Sequence, residues 1–201
     1  MLKYEGIPPH RYFELIVHQA LHKMNEVEKR ADIFMNKMLG YQEYSTEADI
    51  LCAGRRGDES IGIIIECKNF VLPKKGDCIT YYDKIVSRES LFNNFKKKRE
   101  QAHRHCEFDR VIVLAIFNDE DLKFEKIDNW LYVLGCKVEF PKQSFPNPQD
   151  TQSINHVWNS LSEGMIALGA GHSILKNIKN LPNHRLYKPN RDYPLDDWSH
   201  F

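Results

Sequence analysis

The feature that most constrains the fold is the segment 110–117, which is the clearest buried strand in the chain. Its sequence, Arg-Val-Ile-Val-Leu-Ala-Ile-Phe, is apolar after the first residue and rich in β-branched side chains. A short apolar run of this composition is typical of a strand inside a sheet. Residues 48–53 and 61–68 form two similar runs on either side of a turn, so we expect them to pair as a β-hairpin whose second strand is central.

The remaining apolar pattern predicts helices around these strands. Apolar side chains at three- and four-residue intervals predict one long amphipathic helix over residues 12–39. Residues 79–106 follow a loop and are expected to be helical, in one piece or in two. Strand composition returns at residues 130–135 and 137–140, which predicts one or two further strands.

A stretch rich in Pro and Asn, residues 141–150, indicates a boundary. It separates an expected core domain, residues 1–140, from an extension, residues 141–201, that consists of this connection and a helical part predicted over residues 154–178. The predicted order is therefore helix, two strands, helix, two strands and a helical appendage. Such an order indicates a mixed α/β or α+β domain.

The composition and charge of the chain exclude several classes of protein. The chain has 28 basic and 28 acidic residues and a formal net charge of zero, which argues against nucleic-acid binding by bulk charge but leaves room for a local basic strip. The 42% hydrophobic and 28% charged fractions exclude general disorder. The sequence has no 18-residue apolar window and no signal-peptide pattern, so we expect a cytoplasmic protein without a membrane partner. Five scattered cysteines without a CxxC pair give no structural zinc pattern.

The chemically distinctive residues are an aspartate and a Glu-Cys-Lys triplet on the two strands of the predicted hairpin. Asp49 lies in the first strand, and Glu66, Cys67 and Lys68 end the second. Side chains alternate along a strand, so Glu66 and Lys68 face one side of the sheet and Cys67 the other. Pairing of the strands brings Asp49 to the same end as Glu66. Two carboxylates at the rim of a sheet suit Mg²⁺ or Mn²⁺, and a lysine beside them can hold a water or stabilise charge on a phosphate.

The sequence Ala48-Asp49 followed by Glu66-Cys67-Lys68 resembles the motif of the PD-(D/E)XK nuclease superfamily, with alanine in place of the motif's proline. The resemblance covers about residues 10–120 and implies a restriction-endonuclease-like α-β-β-β-α-β core. It also implies phosphodiester hydrolysis by a metal-activated water. Asp49, Glu66 and the backbone carbonyl of Cys67 would then be metal ligands, and Lys68 would contact the water or the phosphate. The Cys67 side chain is expected to pack in the core.

The first predicted helix contributes a weaker candidate. Residues 12–17 and 39–41 are similar to the opening helix of Mrr-like restriction nucleases, which implies that Glu14 is a further catalytic and metal-associated carboxylate. Glu28 flanks the same apolar face and competes for this role, and a solvated helix glutamate stays an alternative for both. His18 and His22 lie one turn apart on the same helix, a spacing that can bind a metal. For the two histidines we expect surface or packing roles.

The second predicted helix is locally basic. Its positive charge is concentrated between residues 96 and 104, where it can contact a phosphate backbone. Many members of the superfamily have a helix glutamine near the active site, and the resemblance implies that Gln101 is its counterpart here. The expected nucleic-acid contacts are Lys96, Lys97, Lys98, Arg99, Gln101 and Arg104.

Together these observations predict an endonuclease that requires Mg²⁺ or Mn²⁺, with DNA as the expected substrate. Three alternatives stay open: an RNA endonuclease, a catalytically weak nucleic-acid-binding module of the same fold, and an interaction domain in which Glu66 and Lys68 only neutralise each other. A homodimer formed through the C-terminal helix is a further hypothesis, based on fold analogy alone.

Overall fold

The computed structural model describes residues 8–28, 32–39, 46–56, 58–140 and 151–167. In chain order the elements are α1 (Pro9–Glu28), β1 (Asp32–Met38), β2 (Glu47–Arg56), β3 (Glu59–Lys68), β4 (Cys78–Tyr81), β5 (Lys84–Ser87), α2 (Arg88–His105), β6 (Arg110–Asn118), β7 (Glu125–Lys126), β8 (Leu131–Cys136) and α3 (Thr151–Ala167). The protein is therefore of the mixed α/β class, as the sequence predicts. Among the described helices, none has the length and apolar character needed to cross a membrane.

Six strands form one mixed sheet in the order β1-β2-β3-β6-β8-β7. The strands β1, β2 and β3 are antiparallel neighbours, whereas β6 is parallel to β3 and β8 is parallel to β6. The predicted hairpin of residues 48–53 and 61–68 is confirmed, because β2 pairs with β3 from Ile50↔Ile65 to Arg56↔Glu59. The strand β3 is central, and its residues between Ser60 and Cys67 are all buried.

Helices cover both faces of the sheet. The helices α1 and α3 lie on one face, where Ile16 and Leu161 join the buried cluster that contains Ile63, Ile65 and Cys67 of β3. The helix α2 covers the opposite face through a second cluster that contains Phe95, Ala102 and Ile64. Because side chains alternate along β3, the even-numbered residues of this strand point toward α2.

Two predicted helices are partly wrong. The expected helix over residues 12–39 ends at Glu28, and residues 32–38 form the edge strand β1, in which Ile33 and Phe34 lie on opposite faces. The expected helix over residues 79–106 begins only at Arg88, because residues 78–87 form the separate hairpin β4–β5. In both segments the spacing of the apolar residues fits a helix as well as a strand. Pairing with another strand is what makes each segment extended.

The C-terminal part of the core also differs from expectation. The strand predicted at 130–135 is confirmed as β8, but residues 137–140 have no regular structure, and the short strand β7 was not predicted. The predicted boundary at 141–150 and the end of the last predicted helix, residues 168–178, lie outside the described residues.

Candidate active site

Asp49 lies where β2 loses its pairing with both neighbouring strands. On one side, the last pair between β2 and β3 is Ile50↔Ile65, and the next positions along the two strands are Asp49 and Glu66. On the other side, β1 pairs Met35 with Ile50 and Lys37 with Ala48, but Asn36 and Asp49 are skipped. Asn36 has a positive φ of 49°, a conformation that asparagine tolerates better than most residues. The interruption frees the backbone and side chain of Asp49 for other contacts.

The carboxylate of Asp49 replaces the missing backbone pairing to β3. Its Oδ2 accepts a hydrogen bond from the backbone N–H of Cys67 at 2.7 Å. The same oxygen accepts a second hydrogen bond from Lys68 Nζ at 3.2 Å. Asp49 is thereby fixed at the end of β3.

Glu66 is the most deeply buried charged side chain of the group, with 1% of its side chain exposed. Its Oε2 accepts from Lys68 Nζ at 3.0 Å, and its Oε1 accepts from Lys98 Nζ at 2.5 Å. The alternation of β3 explains both contacts, because Glu66 and Lys68 share the face that α2 covers. A carboxylate this buried is stable only when it is paired, and both of its oxygens are paired with an ammonium group.

Lys68 therefore links the two carboxylates, since its ammonium lies within hydrogen-bond distance of both Asp49 and Glu66. Burial alone lowers the pKa of this lysine, but the charges of Glu66 and Asp49 outweigh burial and raise its pKa above the usual range. Burial likewise raises the pKa of Asp49, but Lys68, Lys98 and the N–H of Cys67 outweigh it and lower the pKa below the ordinary value. Both groups keep their charges at neutral pH.

Glu14 of α1 approaches the same cluster from the other face of the sheet. Its Oε2 accepts from Arg11 Nη1 at 2.6 Å, and the same Nη1 donates to Asn36 Oδ1 at 2.6 Å. Burial and the negative charge of Asp49 raise the pKa of Glu14 to about 7, against smaller opposing effects of Arg11 and Lys68. Burial, and after it the charge of Asp49, thus hold the Glu14 carboxyl close to half-protonation at neutral pH.

Cys67 packs in the core, as the sequence predicts. It is buried in the cluster on the α1 side of the sheet, opposite Glu66 and Lys68. Burial, together with the negative charges of Asp49 and Glu14, raises the pKa of its thiol well above the ordinary value. A thiol that stays protonated is a poor nucleophile, so only the backbone of Cys67 takes part in the site.

The basic residues of α2 fall into two groups. Lys96, Lys97 and Arg104 are exposed and available to a partner. Lys98 is instead buried against Glu66, and Arg99 is half-buried, with its Nε donating to the backbone carbonyl of Val111 at 3.2 Å and its guanidinium 5.4 Å from the ring of Trp130. Lys98 belongs to the carboxylate cluster, and Arg99 ties α2 to β6.

Gln101 lies one turn from the Lys98 contact and faces the start of β2. Its Oε1 accepts a hydrogen bond from the hydroxyl of Thr46. This contact joins α2 to the residues that precede Asp49, so Gln101 supports the position of β2 beside the site.

The two helical histidines contact each other. The Nε2 atoms of His18 and His22 are 3.1 Å apart, and His18 is buried, with no partner for its Nδ1 among the residues that the structure describes. Burial and the neighbouring His22 lower the pKa of His18 to about 3, so this ring is neutral in the folded protein. These observations agree with the packing role expected for His18.

Within the described ranges, no three His, Cys, Asp or Glu side chains are grouped closely enough to hold a metal ion. The donor chemistry of the cluster nevertheless fits a hard cation. Asp49 and Glu66 already bind one positive charge, the ammonium of Lys68, between them. Glu14 is a third oxygen donor, and burial together with the negative charge of Asp49 raises its pKa.

Comparison of the chain with protein-family models, with curated proteins and with solved structures finds no match.

Sequence reasoning missed the role of Lys98 and of two supporting residues, Arg11 and Asn36. A pattern that predicts the position of Lys98 is present, because the buried residues of α2 are Leu91, Phe95, Lys98 and Ala102, at intervals of four, three and four. A lysine within an apolar stripe has to meet an acidic partner. For Arg11 and Asn36 we find no comparable pattern, because their contact depends on the strand β1 that the sequence did not predict.

Lys98→Met is expected to lower the free energy of unfolding by about 3 kcal/mol, because it leaves the buried Glu66 with one ammonium partner instead of two. Urea unfolding at neutral pH measures the change. Lys97→Met is the matched control, since this neighbouring lysine is exposed, and it is expected to change stability by less than about 0.5 kcal/mol. Equal effects of the two variants would contradict the assignment of Lys98 to the cluster.

Glu14→Gln is expected to alter how stability depends on pH. The folded protein holds the Glu14 proton up to a pKa of about 7, whereas the ordinary pKa of a glutamate is 4.5. The stability that this carboxyl contributes is complete below 4.5 and is lost as the pH rises through 7.

Urea unfolding of the wild type and of Glu14→Gln is therefore compared at about pH 5 and about pH 8. The variant is expected to match the wild type within about 1 kcal/mol at the lower pH and to be more stable by about 3 kcal/mol at the higher. Glu125→Gln, at an exposed strand position, is the control and should differ by less than about 0.5 kcal/mol at either pH. A constant difference for Glu14→Gln would refute the raised pKa.

Proposed function

We propose that the protein is a metal-dependent endonuclease that hydrolyses phosphodiester bonds, with DNA as its substrate. The observation that carries this proposal is the convergence of Asp49 and Glu66 on the ammonium of Lys68 at the point where β2 separates from β3. Burial of two acids and two lysines at the end of a buried strand costs free energy, because the charged groups lose their hydration. Chemistry at this site is a physical reason to retain it.

The order of elements gives independent support. The chain runs α1, β1, β2, β3, α2 and β6, and the last strand lies parallel to β3. This is the α-β-β-β-α-β order that the sequence resemblance implies for a restriction-endonuclease-like core. We therefore propose that this core belongs to that fold, and that the hairpin β4–β5 and the elements after β6 are additions to it.

Asp49 and Glu66, with Glu14 and the backbone carbonyl of Cys67, are the groups that would hold Mg²⁺ or Mn²⁺. Such a cation, when bound, lowers the pKa of a water molecule and neutralises charge on a phosphate. Lys68 lies between the two carboxylates and would be displaced toward the substrate, where its ammonium can orient the attacking water or stabilise a phosphate oxygen.

Lys98 has a separate task in this proposal. It holds Glu66 Oε1 at 2.5 Å, on the opposite oxygen from Lys68. Glu66 therefore stays oriented when Lys68 moves away from Oε2. Lys98 is thus a positioning residue, and its effect on catalysis passes through Glu66.

The exposed basic residues of α2 support a nucleic-acid partner. Lys96, Lys97 and Arg104 lie on the same helix that places Lys98 in the site, so a phosphate backbone bound along α2 would pass near the carboxylates. Because the whole chain has no net charge, this proposal assigns the electrostatic attraction to a local basic surface.

One observation favours a second candidate, a module that binds nucleic acid without cutting it. Both oxygens of Glu66 are already paired with lysines, and Asp49 Oδ2 accepts two hydrogen bonds. A site of this kind can persist as a neutral structural cluster after catalysis is lost.

A cleavage assay tests the proposal. Supercoiled plasmid, linear duplex, single-stranded DNA and RNA are incubated with the protein in Mg²⁺, in Mn²⁺ and in EDTA. We expect cutting of DNA in the presence of metal only, and a loss of at least about 100-fold in Lys68→Ala. Lys137→Ala removes an exposed lysine and is expected to cut like the wild type. Circular dichroism and thermal melting check that each variant is folded.

The other outcomes separate the alternatives. Metal-dependent cutting of RNA alone would show that RNA, and not DNA, is the substrate. Binding of nucleic acid without cutting in any metal would favour the second candidate. Undiminished cutting by folded Lys68→Ala would refute the assigned active site.

A further inference from the structure

The hairpin β4–β5 is a two-stranded ribbon that lies outside the main sheet. Its strands, Cys78–Tyr81 and Lys84–Ser87, pair along their whole length. The turn between them consists of Tyr82 and Asp83, which both have positive φ angles, 46° and 60°. Turns of two residues with positive φ join antiparallel strands that have the ordinary right-handed twist. The hairpin is therefore a regular ribbon with a fixed register.

Aromatic contacts hold the hairpin at the carboxyl end of β3, where the candidate site lies. Phe70 follows Lys68 by two residues, and its ring centroid is 4.6 Å from that of Tyr81. The ring of Phe70 is also 6.0 Å from the ring of Phe117, the residue of β6 that pairs with Lys68. The inner side of the hairpin thus packs beside the strand ends that carry Lys68.

The turn of the hairpin contacts the start of α1. The Tyr82 hydroxyl is 3.3 Å from His10 Nδ1, and the two rings are in edge contact with their centroids 5.6 Å apart. His10 directly precedes Arg11, whose Nη1 donates to the Glu14 carboxylate at 2.6 Å. The last strand of the hairpin leads directly into α2, which carries Lys98. The hairpin therefore contacts or continues into both of the helices that contribute side chains to the site.

One face of the ribbon points away from the protein. Side chains alternate along each strand, and directly paired residues share a face. Cys78 and Thr80 lie on the same face as Ile85, the partner of Thr80, and all three are exposed. Ile79 and Val86 lie on the opposite face and are half-buried. The face that carries Ile85 is thus the outer face of the hairpin.

The hairpin and the loop before it carry a concentration of exposed apolar side chains. Among the residues that the structure describes, three large apolar side chains are exposed: Val71 at 58%, Tyr82 at 60% and Ile85 at 78%. All three lie within one short stretch of the chain, residues 71–85. Single exposed apolar side chains are ordinary, but a group of them in one segment is typical of a binding surface.

The composition of this surface fits a nucleic acid. The exposed charged residues of the same segment are Lys74, Lys75 and Lys84, against Asp77 and Asp83. Ammonium groups can contact phosphates while apolar side chains contact the edges of bases. Three apolar side chains are few for a stable protein interface, which buries about 800 Å² on each partner. A duplex bound along α2 needs only an additional contact here.

We propose that the hairpin β4–β5 enters the major groove of the duplex that is cleaved, with Ile85 against base edges and Lys84 beside a phosphate. The proposal rests on the proposed nuclease function for its choice of partner. The major groove is about 12 Å wide and admits a two-stranded ribbon. Because aromatic contacts already hold the hairpin in place, binding orders few additional groups.

Fluorescence anisotropy with a short labelled duplex in EDTA tests the contact of Ile85. Ile85→Ser is expected to weaken the affinity for the duplex at least about fivefold, because apolar contact with the bases is lost. Ile85→Leu is the matched control, since it keeps the apolar surface, and its affinity should stay within about twofold of the wild type. Both variants are expected to melt like the wild type, because this side chain is 78% exposed.

The salt dependence of the same affinity tests the contact of Lys84. Lys84→Ala is expected to reduce the slope of log affinity against log salt concentration by about 1, because one phosphate contact is lost. Lys126→Ala is the matched control, since it removes an exposed lysine from β7, which is separated from β3 by two other strands. Its slope should equal that of the wild type. An unchanged slope in Lys84→Ala would overturn the phosphate contact.

Three results would overturn the groove contact. One is equal affinity of the wild type and Ile85→Ser for the duplex. Another is an equal loss of affinity of Ile85→Ser for the single strand of the same sequence, because a single strand has no groove. The third is sedimentation of the wild type as a dimer and of Ile85→Ser as a monomer, which would show that the outer face joins two copies of the chain.

The nuclease function and the hairpin contact can fail separately. If the wild type cuts no nucleic acid but binds the duplex in a manner that depends on Ile85, the nuclease function fails and the hairpin contact stands. If the wild type cuts DNA and Ile85→Ser binds and cuts equally well, only the hairpin contact fails. Absence of duplex binding by the folded wild type would overturn the hairpin contact in either case.

Discussion

The organisation of this protein around its site depends on one interaction, the bridging of Asp49 and Glu66 by the ammonium of Lys68. Two carboxylates so close together at the end of a buried strand would repel each other, and burial would favour their neutral forms. The lysine pairs with both of them, and its charge helps to hold the pKa of Asp49 below the ordinary value. The surrounding structure accommodates this cluster: β2 gives up its pairing at Asp49, the backbone of Cys67 donates to the freed carboxylate, and α2 contributes a second lysine, Lys98, from within its apolar stripe.

Much of the fold could be predicted from the sequence because three strands, β2, β3 and β6, each contain a continuous apolar run, at residues 50–53, 61–65 and 111–117. A strand that is buried on both faces has a continuous apolar sequence, so it can be recognised without an alternation of apolar and polar residues. The segments predicted wrongly are those at the edge of the structure. Residues 32–38 form an edge strand, and residues 78–87 form a hairpin outside the main sheet. Their apolar residues fit helical spacing, and only the presence of a pairing partner decides in favour of a strand.

For the candidate site, the three motif residues could be predicted because alternation along β3 and pairing with β2 fix their side chains in space. The position of Glu14 near them followed from the sequence resemblance. The role of Lys98 was misjudged because a run of four basic residues was interpreted as one exposed surface, whereas a helix turns each of them in a different direction.

If Asp49 and Glu66 form a cation site, Mn²⁺ binds at these carboxylates, and titration calorimetry with Mn²⁺ measures this binding. We expect the wild type to bind Mn²⁺ at one site per chain and Asp49→Asn, shown to be folded, to bind it at least about tenfold more weakly, because the variant lacks one negative oxygen donor. Such a result would establish the cluster as a metal centre whatever the substrate is. Absence of Mn²⁺ binding by the folded wild type, or equal binding by both proteins, would contradict the account and leave the cluster as a structural ion-pair network.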